Sequence, residues 1–143
     1  MDCGLCAAQD ETYRIIGGND LAYCIIPIQA LKPGHVMVLP RRHVDSLSDL
    51  IDTEARAFVR LADEMKNAVR EAYPREDPVL LMNGGAHSTQ PHIHWHVLPS
   101  KGGLRTLFAA LEGMEERPQR SRAWEEEVRD HLAPFAKRYI RTF

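Results

Sequence analysis

The stretch TQPHIHWHVLP, residues 89–99, alternates histidines with large apolar side chains. On a β-strand successive side chains point to opposite faces, so residues two apart share a face at a spacing of about 6.6 Å. The pattern therefore predicts a strand with one face in the core and a row of imidazoles on the other. The histidines are His92, His94 and His96, and the residues of the opposite face are Ile93, Trp95 and Val97.

Short β-prone runs and turn residues divide the chain before this stretch into four more strands. Apolar residues at three- and four-residue steps predict one long helix, capped by Asp52 or Thr53 and ending before Pro74. After Pro99 a helical tail is predicted, with a break at Pro134. This order is typical of an α+β fold, a five-stranded, mostly antiparallel sheet with one long helix packed on it and a helical C-terminal tail. The predicted strands cover residues 13–17, 21–26, 35–39, 77–83 and 92–99.

The composition predicts one domain over residues 1–143, because 143 residues at 44% hydrophobic content suffice for one core and are too few for two. Eighteen Lys and Arg against 20 Asp and Glu give a formal net charge of −2, so no overall field attracts the protein to nucleic acid or to a membrane surface. There is no apolar run of roughly 20 residues and no stretch typical of a signal peptide. We therefore expect a cytoplasmic protein.

Three alternating histidines are compatible with two chemistries. All three could bind one catalytic metal ion, as in a zinc hydrolase, or one could act as a nucleophile while its neighbours serve other roles. The preceding loop, residues 83–90, contains glycines and neutral hydrogen-bond donors that suit phosphate oxygens. This loop favours the nucleophile, although the residues alone leave both chemistries open.

The cysteines suggest a second site. Cys3 and Cys6 are separated by two residues, a spacing that in a reducing compartment is typical of a metal site or a redox pair. A thioredoxin-like pair is disfavoured because no βαβ unit follows. The alternative to a metal site is that Cys3 and Cys6 are simply two thiols near a frayed N-terminus and that His43 is a surface residue. Cys24 lies in an apolar run and is predicted to be buried.

Two motifs together resemble the histidine triad (HIT) family. HIHWHVL, residues 92–98, is similar to the family's signature, and PGHVMVLPRRHVDSL, residues 33–47, is similar to its run of Pro-Gly-His, strand, proline, basic pair and histidine. The agreement covers some two thirds of the chain, about residues 3–99, and leaves residues 100–143 as the variable part. The resemblance implies a HIT-like fold, a homodimer and an enzyme acting on a nucleoside phosphoramidate or a dinucleoside polyphosphate. Such an enzyme cleaves at the α-phosphate through a nucleotidyl-histidine intermediate.

The resemblance also implies roles for individual residues. His94 would be the nucleophile, and His96 would hydrogen-bond the phosphate or assist the leaving group. Asn83 and Thr89 occupy positions from which the family contacts phosphate, and Ser88 replaces a longer amide side chain. The phosphate could therefore be positioned differently here.

Other residues depart from the family pattern or carry no predicted role in it. Where the family often has an acidic residue for the ribose hydroxyls, this chain has Pro27, and Gln29 is the nearest polar replacement. We interpret His35 as structural and Arg41 with Arg42 as a solvated charge pair. These departures leave the preferred nucleoside open.

The resemblance assigns the cysteines to a structural zinc site. Cys3, Cys6, His43 and His92 match the Cys₂His₂ set that many members of the family carry. Two rival hypotheses remain. A zinc hydrolase with all three triad histidines on one catalytic metal would retain zinc without the cysteines, and a non-catalytic nucleotide-binding module would bind nucleotide without turnover.

Overall fold

The computed structural model describes residues 3–84, 90–113, 115, 118–138 and 141. The described residues form two compact units, one ending at Leu107 and the other beginning at Phe108, and each is described by itself. In this part of the chain no helix has both the length and the apolar character needed to cross a membrane. The assignment of residues 1–143 to one domain stays a prediction.

A five-stranded sheet forms the centre of the first unit. Its strands are β1 (Ile15–Gly18), β2 (Ala22–Ile25), β3 (Val36–Pro40), β4 (Asp77–Leu81) and β5 (Trp95–Ser100). The order across the sheet is β1-β2-β3-β5-β4, and every neighbouring pair is antiparallel. The predicted α+β plan is therefore confirmed.

The strand with the alternating histidines begins three residues later than predicted. Val38 of β3 pairs with Trp95 of β5. If the antiparallel ladder continued in this register for two more residues, Pro40 would pair with Ile93. Proline has no N–H for the ladder, and the Pro40 carbonyl already accepts a hydrogen bond from the His92 ring at 2.7 Å. The Ile93 N–H instead donates to the Val44 carbonyl at 2.9 Å. Of the three triad histidines, only the last lies within β5.

The two faces of the sheet pack against different elements. On one face β2 to β5 contact the long helix α2 (Asp52–Ala72), and Ile93 and Val97 are buried there with Trp95 packed against them. This confirms the predicted core face of the histidine strand. On the other face the short helix α1 (Gly4–Ala7) and a 3-10 turn (Ala8–Asp10) cover β2 and β3.

The N-terminus of α2 differs from the prediction. Its N-cap is Ile51 rather than Asp52 or Thr53, and the Ile51 N–H donates to the Glu54 carboxylate at 3.4 Å. Arg42 fixes this carboxylate with two hydrogen bonds of 2.8 Å, one to each oxygen. Arg42 is 52% exposed, in agreement with its interpretation as a solvated charge, and it also joins the loop after β3 to the first turn of α2.

The Pro-Gly-His turn before β3 requires glycine. Gly34 has φ of 91°, in the left-handed region that glycine tolerates. A Cβ at this position would lie 2.7 Å from Pro99 and 2.8 Å from the Tyr73 ring. The turn closes through the His35 N–H, which donates to the Lys32 carbonyl at 3.1 Å, and it delivers the His35 ring to the histidine face of the sheet.

The C-terminal part of the chain is helical, as predicted. Helix α3 spans Gly103–Glu112. Helix α4 spans Arg122–Ala136, and its N-cap is Ser121, whose hydroxyl accepts a hydrogen bond from the Trp124 N–H at 3.1 Å. The predicted break at Pro134 is wrong, since α4 continues to Ala136. Pro134 lies in the last turn, where the helix ends two residues later.

Candidate active site and metal centre

Four predicted metal ligands converge beside α1. Each of Cys3, Cys6, His43 and His92 offers one ligand atom, and these atoms lie within 4.8 Å of one another. Nδ1 of His92 is 3.4 Å from Sγ of Cys6 and 3.7 Å from Sγ of Cys3, and Nδ1 of His43 is 3.5 Å from Sγ of Cys6. Among the described residues this group could hold a metal ion.

The spacing of these atoms fits zinc. A tetrahedral zinc with bonds of about 2.3 Å to sulfur and 2.05 Å to nitrogen places sulfur and nitrogen about 3.6 Å apart, and the three distances bracket that value. The remaining nitrogen of each histidine also has the partner a ligand needs. Nε2 of His92 donates to the Pro40 carbonyl at 2.7 Å, and Nε2 of His43 donates to Asp45 at 2.6 Å. Both Nδ1 atoms are thereby left to bind a cation.

The electrostatics of the group also suit a cation. Burial opposes the Cys3 thiolate, but hydrogen bonds from the Cys6 amide and from neighbouring side chains outweigh it and lower the pKa of Cys3. Burial and the negative Cys3 sulfur raise the pKa of Cys6. Hydrogen bonds to Cys3 and Asp45 raise the pKa of His43. Two neighbouring thiols, one with a lowered pKa, favour a bound positive charge, which lowers thiol pKa values further.

Tyr23 on β2 positions the segment that carries the cysteines. Its hydroxyl donates to the Leu5 carbonyl at 2.5 Å within the core, and burial raises the pKa of Tyr23 to about 12. Leu5 itself is buried against the histidine face of the sheet. At the start of α1 the Cys6 N–H donates to Sγ of Cys3 at 3.4 Å, so the two sulfur atoms face the same point.

The predicted nucleophile is buried and has a defined tautomer. His94 is 8% exposed, and its Nδ1 lies 2.9 Å from the His92 carbonyl oxygen. A carbonyl oxygen only accepts hydrogen bonds, so Nδ1 carries the proton and Nε2 of the neutral ring keeps its lone pair. The ring lines a cleft on the histidine face of the sheet. Nε2 is therefore the nucleophilic atom that His94 can offer.

A chain of hydrogen bonds fixes the tautomer of His96. The Leu31 N–H donates to Nδ1 of His35 at 3.0 Å, so the neutral His35 ring carries its proton on Nε2. This Nε2 donates to Nδ1 of His96 at 2.9 Å, which leaves the His96 proton on its own Nε2. Burial, with repulsion from His94 and His35, lowers the pKa of His96 to about 4, and burial lowers the pKa of His35. His96 is thus a neutral donor next to His94, with ring centroids 4.9 Å apart.

The cleft has a volume of about 800 Å³ and lies within the first unit. The predicted site residues Asn83, Gln29, His94 and His96 line it. Ser88 and Thr89, predicted to contact phosphate, lie outside the described residues. The metal group is linked to the cleft through His92, whose carbonyl accepts the hydrogen bond from His94.

The cleft also contains residues that the sequence interpretation passed over. His35, interpreted as structural, bonds directly to His96, and its position at the end of the Pro-Gly-His motif was the signal for a site role. Glu11 and Arg14 line the cleft and bond to each other. No motif in the sequence marks these two residues. They come to the site through the pairing of β1 with β2, which the local sequence does not reveal.

Comparison with known proteins agrees with this architecture. The sequence model described as HIT domain matches residues 9–103. The AP-4-A phosphorylase of Mycobacterium tuberculosis is 29% identical over 113 residues, which cover 77% of this chain and 58% of that protein. The bifunctional bis(5'-adenosyl)-triphosphatase/adenylylsulfatase of Arabidopsis thaliana is 33% identical over 92 residues, which cover 63% of this chain and 51% of that protein. The chain therefore spans about half the length of these curated relatives.

Solved structures share the fold. A HIT family member from Bacillus subtilis superposes with a TM-score of 0.71 at 18% identity, over 99% of this chain and 100% of that chain. A histidine triad family protein from Mycobacterium smegmatis, described as zinc-bound, has a TM-score of 0.62 at 24% identity, over 96% of this chain and 97% of that chain. At these identities the likeness establishes the fold of the chain.

Proposed function

Since the chain belongs to the HIT domain family, we propose that it is a nucleotide hydrolase or transferase with His94 as its nucleophile. Its substrate is a nucleoside phosphoramidate or a dinucleoside polyphosphate, cleaved at the α-phosphate. The relatives named AP-4-A phosphorylase and bis(5'-adenosyl)-triphosphatase support the second substrate class.

The hydrogen bond from His94 to the His92 carbonyl carries the proposal. In the neutral ring it places the proton on Nδ1 and leaves the lone pair of Nε2 to attack phosphorus. The same bond restricts rotation of the ring, which reduces the entropy lost on reaching the reactive geometry.

The reaction then proceeds in two displacements. The lone pair of His94 Nε2 forms a bond to the α-phosphorus, and the bond from phosphorus to the leaving group breaks with its electron pair going to that group. A polyphosphate departs as an anion, whereas an amine takes up a proton from solvent. Water attacks phosphorus in the second step, loses a proton to solvent, and the P–N bond returns its electron pair to His94.

Neighbouring donors stabilise the negative charge that develops on the phosphoryl group. His96 presents an Nε2–H beside His94 and remains neutral at pH 7 because its pKa is about 4. Asn83 supplies an amide from the cleft wall, and Ser88 and Thr89 are proposed as further phosphate contacts. Removal of one such donor typically lowers the rate on the order of 10²-fold.

We propose that the Cys3, Cys6, His43 and His92 group holds zinc. A zinc ion in this closed set of four ligands would serve a structural role, joining α1 to the segment that carries the nucleophile. The homodimer, the cytoplasmic location and the absence of nucleic-acid and membrane partners stay predictions.

The rival with three triad histidines on one catalytic metal has little support from the hydrogen bonds. His92 directs Nδ1 toward the cysteine sulfurs and Nε2 to the Pro40 carbonyl. Nδ1 of His94 is held by the His92 carbonyl, and Nδ1 of His96 by His35. Both nitrogen atoms of His92 are therefore committed to partners other than a metal ion shared with His94 and His96.

The test measures release of nucleoside monophosphate from adenosine 5'-phosphoramidate, a lysyl adenylate and diadenosine tetraphosphate. We expect turnover by the wild type and a loss on the order of 10⁴-fold or more in His94→Ala. His131→Ala removes an exposed histidine of α4 and is the matched control, with unchanged rates.

The outcomes separate the hypotheses. Equal rates in wild type and His94→Ala would contradict both the nucleophile and the rival in which His94 binds a catalytic metal. Tight binding of AMP without turnover of any of the three substrates, unaffected by His94→Ala, would favour the binding module.

A further inference from the structure

The lining of the cleft includes a carboxylate that the proposed reaction does not use. Glu11 precedes β1 and lines the same cleft as His94 and His96. Its side chain is 36% exposed, so it is accessible from the cleft. A negative charge in a cleft that binds an anionic nucleotide opposes binding unless it lies away from the phosphate and accepts a hydrogen bond from the ligand.

Arg14 holds this carboxylate in one orientation. Its Nε and Nη2 contact Oε2 of Glu11 at 2.8 and 2.5 Å, while its Nη1 donates to the Ile26 carbonyl at 2.7 Å. The Tyr13 hydroxyl also donates to Oε2, at 3.4 Å. In the part of the chain that the structure describes, Oε1 has no such donor. The carboxylate therefore presents one oxygen as an acceptor at a fixed place.

The topology places this oxygen far from the reacting phosphorus. His94 and His96 lie on the segment that enters β5, and β3 separates β5 from β2. Arg14 bonds to Ile26, the residue after β2. Two strand spacings of about 4.8 Å amount to roughly 10 Å across the sheet. The ribose hydroxyls are only a few bonds from the α-phosphorus, whereas the base is the part of a nucleotide that extends farthest from it.

The cleft that Glu11 lines also has apolar side chains that suit a flat group. Ile28 and Leu31 follow β2, line the cleft and are 80% and 75% exposed. Large aliphatic side chains with this exposure at a cleft are typical of a ligand contact. Pro27 lines the same cleft. A base lying against these side chains would turn its edge toward Glu11.

We propose that Glu11 is a specificity residue that accepts a hydrogen bond from the exocyclic amino group of adenine. Carboxylates accept hydrogen bonds from the amino groups of bases. Adenine needs a single acceptor for its amino group, which Oε1 supplies. Guanine would need a second acceptor for its ring N–H, and Oε2 is already occupied by Arg14. The inference rests on the proposed function, which puts the phosphate at His94.

The test compares equilibrium binding of AMP and IMP by calorimetry, because hypoxanthine lacks the amino group. Both are product nucleotides, so binding is measured without turnover. We expect the wild type to bind AMP at least about tenfold more tightly than IMP. In Glu11→Gln the amide oxygen can face Arg14 and its NH₂ can face the base, so the preference should vanish or reverse. Glu71→Gln, at an exposed glutamate of α2, should preserve it.

Thermal unfolding of both variants checks that they are folded, and a Glu11→Ala variant provides a second reading of the ratio. A structural role of the Glu11–Arg14 pair would weaken AMP and IMP equally. Equal wild-type affinities, or a preference that survives in Glu11→Gln and Glu11→Ala, would overturn the proposal. So would a change confined to the ratio of AMP to 2'-deoxy-AMP, which would assign Glu11 to the sugar.

The binding experiment is independent of the turnover experiment. Turnover that depends on His94, without discrimination between AMP and IMP, would refute the role of Glu11 and leave the proposed function intact. Discrimination without turnover would support Glu11 and refute the activity. If neither nucleotide binds, the role of Glu11 fails, and the proposed activity is decided by the turnover experiment alone.

Discussion

Nε2 of His35 lies 2.9 Å from Nδ1 of His96, and this contact assigns the His96 proton to the atom that can reach a phosphate. We expect His35→Phe to lower kcat by about 10- to 100-fold, as loss of an orienting partner commonly does, with little change in KM. His35→Gln keeps an N–H donor and should recover part of kcat. Steady-state kinetics with adenosine 5'-phosphoramidate provide the measurement. Equal kcat in the two variants would argue against an orienting hydrogen bond.

The low pKa of His96 predicts a dependence of stability on pH. Burial and the neighbouring His94 and His35 bring its pKa from an ordinary 6.5 to about 4 in the folded chain. Between these values the unfolded chain binds the proton and the folded chain does not, so the free energy of unfolding falls as pH decreases from 6.5 to 4. Below about pH 4 this contribution is constant.

Urea unfolding of wild type and His96→Asn across this range tests the prediction. Because the other titrating groups are shared, the difference between the two proteins isolates His96. We expect the wild type to lose stability relative to His96→Asn as the pH falls. A difference independent of pH would show that His96 has an ordinary pKa.

Metal analysis tests the proposed zinc site. We expect one zinc ion per chain in the wild type and loss of zinc in Cys3→Ser and Cys6→Ser, with a lower unfolding temperature because metal binding is coupled to folding. Cys24→Ala removes the thiol outside the group and should retain zinc. His94→Ala should retain it too, and zinc lost from His94→Ala but kept without the cysteines would support the catalytic-metal rival.

The ion pair between Arg42 and Glu54 predicts a defined stability loss. The Glu54 side chain is 8% exposed, and hydrogen bonds from Arg42 lower its pKa. This contribution is therefore present above the ordinary pKa of 4.5 and is lost as the pH falls through the lower folded value. Arg42→Ala should lower the unfolding temperature at pH 7, by an amount that shrinks in acid. Arg60→Ala, at an exposed position on α2, should have little effect, and equal shifts in the two variants would contradict the prediction.

The parts of the fold that follow from periodicity were accessible from the sequence. Alternation assigns Ile93 and Val97 to the core whatever packs against them, and both are buried against α2. The ends of strands and helices that depend on distant residues could not be predicted from the sequence. The start of β5 depends on Pro40 of another strand, and the cap of α2 depends on Arg42, which reaches Glu54 across a loop.

In the candidate site, too, some features follow from the sequence and others depend on residues that are distant along the chain. The four proposed zinc ligands were named from spacing and resemblance, and the fold brings them within 4.8 Å. The bond between His35 and His96 depends on the antiparallel pairing of β3 with β5, and the place of Glu11 depends on where β1 begins. The Pro-Gly-His motif signals a site role for His35 but not its partner, and no local pattern marks Glu11.

The four residues of the metal group are spread over most of the first unit, at positions 3, 6, 43 and 92. During synthesis the two cysteines leave the ribosome first, and the set is complete only when the last histidine has emerged, two residues before His94. A metal ion held by all four therefore cannot be captured fully until the segment with the nucleophile has been made. Any zinc ion bound there would therefore meet only a partial ligand set until His94, the proposed nucleophile, is about to join the fold.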